Sequence, residues 1–138
     1  MSEARRYLVV DDNLAFAENL AEILREQGHA ASIAGSADEA LVLVRAQQFD
    51  ALITDMRMPK QGGAAFLQEA RRADPELPAI VVSAWTDEED LRAATASGLL
   101  AILPKPVPME RLLELLSTAN RNAPAARLAH LQLPRGAP

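Results

Sequence analysis

"YLVVDDN", residues 7–13, runs four residues of strand-forming type directly into two adjacent aspartates. Four such residues without polar alternation describe a strand covered on both faces. Strands of that kind belong to parallel sheets, whose crossovers lay helices against either side. The two acids then stand where the strand leaves the core, at the edge where open parallel sheets place their ligands. Two like charges side by side at that edge need a proton or a cation to relieve their repulsion.

Four more runs of strand length follow at nearly even spacing, Ala30–Ala34, Ala51–Thr54, Ala79–Ser83 and Leu100–Leu103. Between them apolar residues recur at helical intervals: Leu14, Ala17, Leu20, Ala21 and Leu24; Ala40, Leu41 and Val44; Leu91, Ala94 and Ala96. Ser36 with Glu39 and Thr86 with Glu89 match the capping box of a helix start, and Gly28 and Gly98 suit helix ends. The pattern predicts an α/β fold of β-α units repeated five times around a doubly wound parallel sheet.

The bulk numbers fit one domain and a tail. The chain has 138 residues, a formal net charge of −5 and no cysteine, which excludes disulfides and thiolate metal sites. No apolar run approaches membrane-spanning length, and "MSEARR" lacks a signal-peptide core, so a cytoplasmic protein without a membrane partner is expected. The acidic balance offers nucleic acid no basic surface. Residues 121–138, "RNAPAARLAHLQLPRGAP", contain no acid and are rich in Ala, Pro and Arg. This composition predicts a domain over residues 1–120 followed by a linker or tail.

Each strand end delivers a group able to do chemistry. The first gives Asp11 and Asp12, the third Asp55 in "LITDMRMPKQGG", the fourth Ser83, and the fifth Lys105 in "ILPKPVP". Taken singly, Asp11, Asp12 or Asn13 could cap a helix, Asp55 could serve a turn, and Lys105 could be a solvated surface residue. Together, three carboxylates at one rim call for a hard cation, Mg²⁺ (or Mn²⁺) before Ca²⁺. A lysine fixed between two prolines beside them suits a phosphoryl oxygen, with the Ser83 hydroxyl as a second ligand. The segment after the first strand has no glycine, so neither a P-loop nor a dinucleotide fingerprint is present. What remains is a phosphoryl group carried on a side chain, with Asp55 as the nucleophile.

Asp11-Asp12, Asp55 with Met58-Pro59 and Gly63 behind it, Ser83-Ala84 and Lys105-Pro106 resemble the receiver domain of two-component response regulators, over about residues 5–120. The resemblance implies a chemotaxis-regulator-like, flavodoxin-like fold: a five-stranded parallel sheet in order 2-1-3-4-5 with five helices. Pro104 would then lie on an edge strand, where proline is tolerated. It also implies Asp55 as the phosphoacceptor, served by a histidine kinase or phosphotransfer protein. Asp12 would ligate Mg²⁺ directly, Asp11 largely through water, and the Arg57 carbonyl would be a further ligand beside Asp55. Lys105 and Ser83 would bind the phosphoryl group, and Lys105-Pro106 would be a cis peptide. Such a domain is a signalling phosphoacceptor, with self-catalysed phosphorylation and dephosphorylation only. Its partner would be a downstream output domain or protein, with a homodimer through the fourth expected helix, the fifth strand and the fifth expected helix.

One position departs from that pattern. Receivers usually carry Tyr or Phe three residues before the lysine, and this chain has Ile102. Ile102 reads as strand packing, so a switch would operate through Ser83 and its loop without a turning ring. Arg57, Ala84 and Trp85 would form the pocket rim. Two other readings are open: a receiver-like interaction module independent of phosphorylation, and a Mg²⁺-dependent phosphatase. Against the latter, Arg57 stands where a second acid would protonate the leaving group.

Overall fold

A computed structural model describes residues 4–55, 63–83 and 100–119. In chain order the elements are β1 (Arg6–Val10), α1 (Leu14–Glu26), β2 (Ala30–Ala34), α2 (Ala37–Ala46), β3 (Ala51–Asp55), α3 (Gly63–Ala73), β4 (Ala79–Ser83), β5 (Ala101–Pro104) and α4 (Met109–Thr118). All strand pairings are parallel, and the order is β2-β1-β3-β4-β5. Expected and observed strands agree to within a residue at each end. Four helices lie among the described residues. The segment expected to hold another, with Thr86, Glu89 and Gly98, lies outside them, as does the tail.

Two cores follow from the period-two alternation of the strands. Tyr7 and Val9, Ala51 and Ile53, Ile80 and Val82, and Ala101 and Leu103 pack with α1 and α4 through Leu20, Leu24, Leu112 and Leu116. Leu8 and Val10, Leu52, Val81 and Ile102 pack on the other face with α2 and α3 through Leu41, Val44, Phe66 and Leu67. Each fully buried Val, Leu, Ile or Phe among them contributes roughly 1.5–3 kcal/mol. Register is thereby fixed, because a one-residue slip of β1 would draw Asp11 inward to the level of Val10.

Local chemistry sets the helix ends. Asn13 has extended backbone, and its side-chain oxygen accepts from Phe16 N, so the asparagine rather than either aspartate caps α1. Ser36 Oγ accepts from Glu39 N at 3.2 Å, while Glu39 Oε1 accepts from Gly35 N at 2.6 Å. The return half of this capping box thus reaches one residue further back than the usual pairing. Gly28 ends α1 at φ 93°, a conformation that favours glycine. Pro104 sits at the end of the edge strand β5, opposite Ser83.

Candidate functional site

The sheet register brings the chemical groups to one level. Val10 pairs with Thr54, Asp55 with Val82, and Ser83 with Pro104, so the next residues along, Asp11 and Lys105, stand on the same rim as Asp55. Alternation adds a second coincidence. Asp11 continues the parity of Tyr7 and Val9, Asp55 that of Ala51 and Ile53, and Lys105 that of Ala101 and Leu103, all on the α1 side.

The side chains meet there. One carboxylate oxygen from each of Asp11, Asp12 and Asp55 lies within 4.8 Å of the others. Lys105 Nζ donates to Asp11 Oδ2 at 2.8 Å and stands 3.7 Å from Asp55 Oδ2. Asp11 and Asp55 are buried, whereas Asp12 is exposed. The second Asp11 oxygen accepts from Asn13 N at 2.9 Å, so both of its oxygens are engaged. Asp12 makes no hydrogen bond or ion pair among the described residues.

A divalent ion fits this donor set. Asp11, Asp12 and Asp55 bring three carboxylates to the rim, and Lys105 pairs with Asp11 and stands beside Asp55. Mg²⁺ takes oxygen ligands at about 2.0–2.1 Å in an octahedron, so its ligand oxygens lie roughly 3 to 4 Å apart. Carboxylate oxygens that lie within 4.8 Å of one another suit such a ligand shell.

Ser83 is fully buried at the end of β4, and its carbonyl accepts from Lys105 N at 2.9 Å. This bond ties the two strand ends together just where the lysine leaves the sheet. The Lys105-Pro106 peptide is cis. Ile102 is buried in the core on the α2 and α3 side, well packed as a strand residue. Arg57, Ala84 and Trp85 lie outside the described residues.

One residue has no forerunner in the sequence motifs. Phe16, on the first turn of α1, packs against the α1-side core and presents its ring to Lys105, with Nζ 4.3 Å from the centroid. The available signal is its position: it follows the cap by three residues, on the helix face turned to the sheet.

Fold and rim define a receiver-type α/β protein with an acidic pocket, and comparison with known proteins agrees. The profile of the response regulator receiver domain family matches residues 7–117. A response regulator receiver protein of Anaeromyxobacter sp. (strain Fw109-5) is 56% identical over 111 residues, covering 80% of this chain and 47% of that protein. Among solved structures, a CheY-like receiver domain protein from Methanospirillum hungatei JF-1 superposes with a TM-score of 0.80 at 26% identity, covering 91% of this chain and 97% of that one. A response regulator protein from Burkholderia pseudomallei, solved with a phosphorylated aspartic acid, a calcium ion and citrate, superposes with a TM-score of 0.77 at 27% identity, covering 91% and 71%. The chain belongs to the response regulator receiver domain family. It spans about half the length of its Anaeromyxobacter relative.

Proposed function

We propose that this chain is the phosphoacceptor module of a two-component system, in which Asp55 takes a phosphoryl group from the phosphohistidine of a kinase or phosphotransfer protein. The observation that carries the proposal is the convergence of Asp11, Asp12 and Asp55 within 4.8 Å, with Lys105 paired to Asp11 beside them. Three clustered carboxylates are costly to ionise together unless a cation uses them, and a cation and an ammonium side by side then suit an anionic phosphoryl group. Support also comes from the Burkholderia relative's phosphorylated aspartic acid.

Transfer asks for positioning and charge neutralisation more than for covalent machinery. An Asp55 oxygen attacks phosphorus in line; the O–P bond forms as the N–P bond breaks. Imidazole already protonated on its other nitrogen leaves neutral with the electron pair. Asp12, Asp55 and the Arg57 carbonyl, with Asp11 through water, would hold Mg²⁺, which would supply positive charge against the phosphoryl oxygens when bound. Lys105 gives a further oxygen an ammonium partner. The Ser83 hydroxyl takes the third, which couples the phosphoryl group to the end of β4 and so to the surface offered to an output domain or protein.

Ile102 takes no part as a turning ring; it stays in the core. The receiver module is assigned to residues 1–120, with 121–138 as linker or tail. Trp85, the only tryptophan, serves as reporter. Beryllofluoride with Mg²⁺ should change its fluorescence, and Asp55→Asn should abolish the change. Partner binding unaffected by Asp55→Asn, with no response to beryllofluoride, would instead indicate an interaction module independent of phosphorylation.

A further inference from the structure

Four residues around the pocket close a circuit. Lys105 Nζ donates to Asp11 Oδ2 at 2.8 Å, and Asp11 Oδ1 accepts from Asn13 N at 2.9 Å. Asn13 Oδ1 accepts from Phe16 N at 3.1 Å, and the Phe16 ring returns to Lys105 at 4.3 Å. We propose that Phe16 is a positioning residue, whose ring is a neutral seat that keeps the Lys105 ammonium at the pocket when a divalent cation engages the carboxylates.

The physical need arises from competition. In the circuit as observed, Asp11 and Asp55 hold the ammonium, yet these are acids that a divalent cation also requires. A lysine anchored by carboxylates alone would lose its partners as the metal takes them, and like charge would push it away. An aromatic face attracts an ammonium through its quadrupole, carries no net charge and gives no ligand to a metal. Lys105 is largely shielded from water, which strengthens that attraction. Asn13 matters because its cap on Phe16 N fixes the turn that carries the ring.

The inference rests on the phosphoacceptor proposal for its use, but the lysine's placement is measurable without phosphorylation. Phe16→Leu keeps apolar bulk and removes the ring; Phe16→Tyr restores a ring. Ring currents should move the Lys105 Hε resonances upfield in the wild type and in Phe16→Tyr, with and without Mg²⁺. Phe16→Leu should lose the shift, and Mg²⁺ should then move its Lys105 signals much further than in the wild type. With acetyl phosphate, Phe16→Leu should slow phosphorylation about threefold to tenfold, in keeping with a cation–π contact. In a Lys105→Met background it should add nothing. Lys105 resonances indifferent to the ring in the Mg²⁺-loaded protein would overturn the proposal, as would an equal slowing by Phe16→Leu without the lysine. If even the wild type takes up no phosphoryl group, the phosphoacceptor reading fails, and the resonances alone decide the seat.

Discussion

Lys105 Nζ and Asp11 Oδ2 are joined at 2.8 Å across 94 residues of sequence, linking the ends of β5 and β1 over the intervening strands. Removing one member leaves the other uncompensated, and Asp11 is the more deeply buried. Lys105→Met should therefore lower the stability of the metal-free protein by about 1–3 kcal/mol in urea titrations. Saturating Mg²⁺ should recover part of that loss, since the ion supplies positive charge at the same acids and stabilises by linkage. An identical loss with and without Mg²⁺ would show that the pair does not share its acids with a cation.

The two aspartates of "YLVVDDN" should behave unequally. Both Asp11 oxygens are engaged, whereas Asp12 is exposed and unengaged among the described residues, so Asp12 has the freedom to close on a metal. Asp12→Ala should weaken Mg²⁺ binding by calorimetric titration at least as much as the roughly 10–100-fold typical for losing an outer-shell partner, since a direct ligand is removed. Asp11→Ala should weaken it less but cost more stability, because Lys105 and Asn13 N lose their acceptor. The reverse ranking of affinities would contradict this division of roles.

Asn13 caps α1 through a single side-chain acceptor. Asn13→Ala should cost about 1 kcal/mol of stability, and Asn13→Ser should retain most of it. Thermal melts of the two variants measure the difference directly.

Tyr7 provides a pH test of the α1-side core. Burial raises its pKa above the ordinary 10.0, with Asp50 acting in the same direction and Arg5 opposing. The unfolded chain releases the phenol proton first, so this group's contribution is intact below about pH 10 and is lost as pH rises through the higher folded value. Tyr7→Phe should accordingly show a shallower decline in stability than the wild type above pH 10, and parallel alkaline profiles would count against it.

Much of this was legible from the strand ends. Uninterrupted apolar runs predict buried parallel strands, and residues at the ends of such runs must emerge on one rim, which is why the sequence alone groups Asp11, Asp55, Ser83 and Lys105. The resemblance added strand order. Three things were not legible. Capping was open among Asp11, Asp12 and Asn13, because all three are competent N-caps; geometry selects Asn13. Glu39 reaches Gly35 rather than Ser36, a detail of loop conformation that spacing does not encode. Phe16 carries no motif, since its meeting with Lys105 depends on how a helix face and a strand parity coincide in space.

Asp55 as the acceptor in a Mg²⁺-dependent transfer is open to intact-protein mass spectrometry after incubation with acetyl phosphate or a phosphorylated histidine kinase. One added phosphoryl group is expected with Mg²⁺, none when the metal is chelated before the donor is added, and none in Asp55→Asn. No added mass with either donor, or the same added mass in Asp55→Asn, would contradict it.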